Sequence, residues 1–139
     1  MILLTQALRA RLRAHADAAR RPGHDPAPVV KFFNPVGAAT WLATELDADG
    51  DTLFGLADLG FGCPELGSFS LAEIAGLRLA FGLRIERDLH FTGLFPLSVY
   101  AEAARRAGRI VEETSALRAA AASRHRHFGL PPTPDGGAG

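Results

Sequence analysis

Asp49-Gly50 lies between two runs that both favour extended backbone, Thr40-Trp41-Leu42-Ala43-Thr44-Glu45-Leu46 and Thr52-Leu53-Phe54-Gly55-Leu56-Ala57. The tight turn joining two antiparallel strands needs central residues that tolerate positive φ, and Asp-Gly is one of few pairs that do. The middle of the chain is thereby committed to an antiparallel hairpin. Residues 29–33, β-branched and aromatic, predict a strand before it, and residues 66–69 a short strand after it. Residues 85–91 alternate in polarity and predict a fifth strand.

Helices frame these strands. Leu4, Leu8 and Leu12 recur every fourth residue and, with Ala16 and Ala19, predict a helix over 3–19 that Pro22-Gly23 stops. Ser70-Leu71-Ala72-Glu73 has the form of a capping box, with Phe69 and Ile74 at the staple positions and Gly82 as the expected C-terminal stop. Pro96-Leu97-Ser98 opens a further helix bearing Tyr100, Ala104, Ala107 and Val111 on one face, with Glu102 and Arg106 paired across one turn. Gly108 interrupts it, and residues 116–122 resume helix. The expectation is an α+β fold: an antiparallel or mixed sheet of about five strands with helices packed on one face. One domain is expected over 1–110, a C-terminal helical extension over 111–128, and a disordered tail over 129–139.

With 139 residues and a single cysteine, Cys63, the chain is large enough to bury a core without disulfides, and an intrachain disulfide is excluded. Net charge is zero but unevenly spread: +4 over residues 1–31, −6 over 32–100 and +2 over 101–139. An acidic middle argues against a broad nucleic-acid surface on the sheet, and permits a basic protein partner there or self-association of opposite charges. Met1-Ile2-Leu3-Leu4 followed by arginines inverts the order of a secretory signal, and no apolar run is long enough to span a membrane, so the expected location is cytoplasmic.

Candidate chemistry is sparse. In an extended strand Glu86, Asp88 and His90 share a face, where two carboxylates and an imidazole could do acid–base work in a small hydrolase or nuclease. Arg87 then points inward and needs a partner, for which Glu45 or Glu65 is in reach. Asp47, Asp49 and Asp51 superficially suggest a calcium loop, but glycine falls at its fourth position rather than its sixth; a hairpin turn explains them. Cys63 has no cation beside it to hold a thiolate, and Gly60-Phe61-Gly62 lacks the remaining residues of a phosphate loop. Trp41, Phe32, Phe33, Phe54 and Phe91 read as core before they read as stacking platforms. The arginines of the first helix read as a solvated face, and His125 and His127 as a fraying helix end. No metal or cofactor is expected.

Pro28-Val29-Val30-Lys31-Phe32-Phe33, Thr40-Trp41-Leu42-Ala43-Thr44-Glu45, Leu53-Phe54-Gly55-Leu56, Glu65-Leu66-Gly67-Ser68-Phe69-Ser70-Leu71 and Ile85-Glu86-Arg87-Asp88-Leu89-His90-Phe91, taken in order, resemble the bacterial family called domain of unknown function 2958. The resemblance runs to about Ile110 and brings no catalytic residue or cofactor with it. It implies an accessory role, with members often carried on plasmids and integrative elements. The expected function is a small cytoplasmic, non-enzymatic protein-binding accessory protein, meeting its partner through the sheet or the acidic hairpin. Lys31, Glu45, Asp47, Asp49, Asp51 and Arg87 are its candidate contacts. A small hydrolase or nuclease using Glu86, Asp88 and His90 is the alternative.

Overall fold

The computed structural model describes residues 1–124. In chain order the elements are α1 (Gln6–Asp17), β1 (Val30–Phe33), β2 (Thr40–Leu46), β3 (Thr52–Asp58), β4 (Glu65–Ser70), α2 (Leu71–Gly76), β5 (Glu86–Arg87), α3 (Leu97–Ala107) and α4 (Thr114–Arg124). The strands form one sheet in the order β4-β3-β2-β1-β5, every neighbouring pair antiparallel. The α+β class and the five-stranded sheet are thus as the sequence predicts. The expected tail, 129–139, and His125 and His127 lie outside the described residues.

The helices cover both faces of the sheet rather than one. On the first face Leu12 of α1 packs with Val30, Phe32, Trp41, Ala43, Leu46, Leu53 and Ile74 of α2. On the second, Leu42 and Leu56 are buried beneath Leu97, Tyr100 and Ala104 of α3 and Leu117 and Ala120 of α4. The cause is legible in β2: Trp41-Leu42-Ala43 is apolar without alternation, so both faces of the central strands need cover. The 111–124 segment is therefore part of the fold's second core layer.

Several boundaries differ from expectation for local reasons. α1 begins at Gln6 because Thr5 caps it, its hydroxyl accepting from the Leu8 amide at 3.2 Å, which leaves Leu3 and Leu4 as buried residues ahead of the helix. The Ser70 cap of α2 forms, its hydroxyl accepting from the Glu73 amide at 3.1 Å, yet α2 ends at Gly76. Gly82, expected to stop that helix, instead completes a tight turn with Phe81, both at positive φ (72° and 61°). The fifth strand spans only Glu86–Arg87: the Asp88 carboxylate accepts from the His90 amide at 2.8 Å and starts a turn.

The β2–β3 hairpin is held from within and from α1. The Asp49 carboxylate accepts from the Asp51 and Thr52 amides, each at 2.8 Å, and from the Thr52 hydroxyl at 2.6 Å. Asp51 bridges onward, accepting from the Ser70 hydroxyl at 2.7 Å and the Ala72 amide at 2.8 Å. Arg9 and Arg13, expected on a solvated face, donate to the carbonyls of Gly50 (3.2 Å) and Leu46 (2.7 Å). They fasten the helix to the hairpin.

β2 carries a bulge between Ala43 and Glu45, with Thr44 as the extra residue. Beside it β3 comes so close that a Cβ on Gly55 would lie 1.8 Å from the Leu42 carbonyl oxygen. Backbone cannot yield as a side chain does. Gly55→Ala is expected to cost about 3 kcal/mol or more, seen as a fall of about 10 °C or more in Tm by circular dichroism. Gly67→Ala, whose Cβ meets open space, is the matched control and should shift Tm by less than about 3 °C. The hydrogen bonds from Thr52 hold the Asp49 carboxyl below the ordinary value of 3.8. A group lowered in the folded state adds stability above its unfolded pKa and loses it as pH falls through the folded one. Carboxyl carbon NMR should therefore find Asp49 titrating below 3.8, and Thr52→Val should move it upward.

Candidate functional site

The Thr44 bulge changes which way the end of β2 faces. Trp41 and Ala43 belong to the first core and Leu42 to the second. Strict alternation would send Glu45 after Trp41 and Ala43; the extra residue instead puts Leu46 in that core and pairs Glu45 with Phe54, on the side of α3. Thr44 is fully buried, and its hydroxyl and carbonyl both have partners. Its hydroxyl lies 3.3 Å from the Phe54 carbonyl oxygen and 3.0 Å from Glu45 Oε2, and its carbonyl meets His15 Nδ1 at 2.8 Å.

Glu45 so placed faces a cavity of about 300 Å³ between the α1–β1 loop, the sheet and the start of α3. His24 Nε2 is 3.2 Å from Glu45 Oε2, with side-chain exposures of 18% and 15%. Asp25, next in the loop, caps α3: its carboxylate accepts from the Ser98 amide at 3.0 Å and from the Ser98 hydroxyl. The Leu97 amide adds a bond of 2.9 Å to the Pro26 carbonyl. An acidic side chain at a helix N-terminus is favoured by the free amides and the helix dipole. Phe54, Leu66 and Leu97 supply the apolar wall. Among the described residues no lysine or arginine pairs with Glu45 or Asp25; the ion-pair partner of Glu45 is His24. The Ser98 hydroxyl is engaged by Asp25 and not by His24, so the three do not form a serine–histidine–aspartate relay.

Leu66 joins this cavity to the open side of the sheet. β4 is the terminal strand and pairs only with β3. The Leu71 amide bonds the Asp51 carbonyl at 2.9 Å, which continues the Thr52↔Ser70 register. Because bonded pairs alternate in an antiparallel ladder, the amides and carbonyls of Glu65, Gly67 and Phe69 face β3, and those of Leu66 and Ser68 face outward. The strand carries no proline or lysine, and its one charge, Glu65, stands at its start. At that end Leu59, Phe61 and Cys63 line a crevice of about 150 Å³, Phe61 being 82% exposed. The opposite edge, β5, is two residues long, and the N-terminal segment lies against it, with Met1 Sδ 3.2 Å from the Arg87 amide.

The residues singled out from sequence divide sharply. Glu45 stands in the cavity. Asp47, Asp49 and Asp51 stay in the hairpin, where the Asp49 and Asp51 carboxylates are taken up by caps. Lys31 is held between Glu112 at 2.5 Å and Asp88 at 3.6 Å, over the Phe33 ring. Arg87 pairs with neither Glu45 nor Glu65; its guanidinium donates to the carbonyls of Ile2 (2.9 Å) and Leu3 (2.7 Å). Glu86, Asp88 and His90 are not gathered: Glu86 borders a cleft with Met1 and Arg84, Asp88 borders another with Arg11 and Leu89, and His90 points to solvent. Sequence reasoning missed His24, Asp25 and Ser98. They are scattered over 75 positions, and the only local signal was a polar pair in the loop before β1 and a serine one residue inside a helix start.

Comparison with known proteins gives one broad likeness and two narrow ones. Over 50 residues the chain is 50% identical to a dihydroorotate dehydrogenase (quinone) of Janthinobacterium sp. (strain Marseille), covering 34% of this chain and 13% of that protein. Over 53 residues it is 49% identical to the enzyme of the same name from Herminiimonas arsenicoxydans, covering 37% and 14%. The chain thus matches about one seventh of the length of these curated relatives. No solved structure matches it. The family model described as protein of unknown function (DUF2958) matches residues 3–111, from the approach to α1 to the buried Val111 beyond α3. The chain belongs to the DUF2958 family.

Proposed function

We propose that this protein is a non-enzymatic binding module that captures an extended segment of a partner protein as an added strand on β4. The observation that carries the reading is the long unpaired edge, with the outward main-chain groups of Leu66 and Ser68 next to exposed Leu59, Phe61 and Leu66. Both sheet faces are covered and the carboxylates of Asp49 and Asp51 are spent on internal caps, so the edge is the part of the sheet left for a partner. Strand addition uses main-chain bonds for affinity and alternate side chains for specificity. An acidic neighbourhood suits a basic partner. A cytoplasmic location, read from the N-terminal sequence, and an accessory role on mobile DNA, implied by the family resemblance, belong to the same proposal; among the described residues no helix is long and apolar enough to cross a membrane.

Magnitudes say what such a partner must bring. Four main-chain bonds to Leu66 and Ser68 are worth about 4 kcal/mol net, and covering an exposed phenylalanine such as Phe61 about 2 kcal/mol. Association itself costs about 4 kcal/mol or more. A bare strand therefore binds weakly, and side-chain recognition decides the partner. The test is selection of phage-displayed random hexapeptides on the immobilised protein. Enriched peptides should slow amide exchange at Leu66 and Ser68. Ser68→Pro, which removes an outward amide and no bond to β3, should weaken binding at least tenfold while Tm stays within a few degrees. Absence of enrichment, or exchange protection confined to other elements, would overturn the reading.

A further inference from the structure

We infer that the segment captured on β4 carries an aromatic residue opposite Gly67 and a lysine or arginine opposite Glu65. The inference rests on the strand-capture reading and adds the chemistry of the side chains that β4 selects. Ala57 and Phe69 pack against the first core, and Ala57 pairs with Glu65. By alternation Glu65, Gly67 and Phe69 therefore share the α1 side of the sheet. Gly67 pairs with Gly55, so neither β3 nor β4 has a side chain at the middle of this side, and a Cβ on Gly67 would meet nothing within 4 Å. The gap is bounded by the Leu53–Phe69 pair on one flank and the Ala57–Glu65 pair on the other. Ala57 and Glu65 also line the Phe61 crevice, so gap and crevice adjoin.

An added strand whose main chain bonds Leu66 and Ser68 meets Glu65 and Gly67 as non-bonded pairs, with Cα atoms about 4.5 Å apart and side chains at their closest. A ring opposite Gly67 lies over the bare glycine, one strand away. Phe69 and Glu65 stand on its diagonals, about 7–8 Å off and within reach of an aromatic side chain. Aromatic neighbours cover edge glycines in this way. Size agrees: the crevice of Leu59, Phe61 and Cys63 holds about 150 Å³, and an apolar hole of about 150 Å³ accepts a benzene ring. The Glu65 carboxylate beside it is exposed and has no hydrogen bond or ion pair among the described residues. A cation directly opposite is one strand spacing away, and opposite charges so placed attract. Every pair in this sheet is antiparallel. In an antiparallel addition the recognised order is aromatic, any residue, then lysine or arginine.

The probe is a set of three end-blocked hexapeptides: Thr-Val-Phe-Val-Lys-Thr, the same peptide with alanine for phenylalanine, and the same peptide with glutamine for lysine. Each is titrated into the protein and followed by amide NMR shifts and exchange. The first should bind at least tenfold more tightly than the alanine peptide and about threefold more tightly than the glutamine peptide, with shifts at Phe61, Cys63, Gly67 and Phe69. Gly67→Val, whose side chain fills the gap, should bring the phenylalanine peptide down to the alanine level and leave the alanine peptide unchanged. Glu65→Gln should abolish the preference for lysine. Equal binding of the phenylalanine and alanine peptides, or of the lysine and glutamine peptides, with Leu66 and Ser68 protected, overturns this inference and leaves strand capture standing. Binding of none of the three removes strand capture and the inference with it. A dimer by light scattering that Ser68→Pro dissolves would make a second copy of the chain the occupant, and would also overturn it.

Discussion

The close approach of β3 to β2 at Gly55 sets the rest of the structure. With no side chain at that position, the two strands come together beside the Leu42 carbonyl and the bulge at Thr44 fits into the ladder. One extra residue reverses the alternation of everything after it. Leu46 joins the Trp41 core, Glu45 turns to the α3 side, and Thr44 is left inside with its hydroxyl and carbonyl bound by Glu45, Phe54 and His15. A buried bulge without those partners would leave orphaned polar groups costing about 1–3 kcal/mol each. His15 thus does for α1 what Arg9 and Arg13 do further along: each meets a main-chain carbonyl of the hairpin region.

The same arrangement ties distant parts of the chain into one cavity. The α1–β1 loop reaches the start of α3 through Asp25 and Pro26, and reaches β2 through His24. A Cβ on Gly93 would lie 2.1 Å from the Pro28 carbonyl, so the segment entering α3 is pressed against that loop. Phe91 and Phe95 pack their rings against Tyr100, whose hydroxyl accepts from the Leu94 amide at 3.3 Å, and burial pushes that phenol's pKa upward. Beyond Gly108 the chain returns: Asp58 accepts from the Ile110 amide at 3.0 Å, and Glu112 closes on Lys31. The cavity walls are held by main-chain contacts and caps, which favours a preformed pocket over one assembled on binding.

What could be read from the sequence was local. Asp49-Gly50 gave away the hairpin, Ser70 and Glu73 the start of α2, and Glu102 with Arg106 a pair that forms at 2.8 Å. Where one residue had two possible uses, pattern alone misled. Gly82 has the positive φ expected of it, but in a turn after the helix has ended. Residues 85–91 alternate in polarity, yet Asp88 bonds its own backbone and cuts the strand to two residues. The face reversal at Thr44 leaves no mark in periodicity, since a bulge is a property of two strands. Pairings such as Asp25 with Ser98 or Arg87 with Ile2 span most of the chain and depend on the finished topology.

An open edge is a hazard, and sheets blunt such edges with charge, proline, bulges or brevity. This sheet does so on one side only. β5 is cut short by the Asp88 turn and lies against the N-terminal segment that Arg87 holds. β4 runs six residues with one charge, at its start, and with Leu66, Leu59 and Phe61 exposed around it. Two small residues, Gly67 and Ser68, at its centre weaken self-pairing, because they give a second copy little to pack against. An open edge with so little side-chain bulk at its centre resists stacking on its own kind without needing charge or proline to do so.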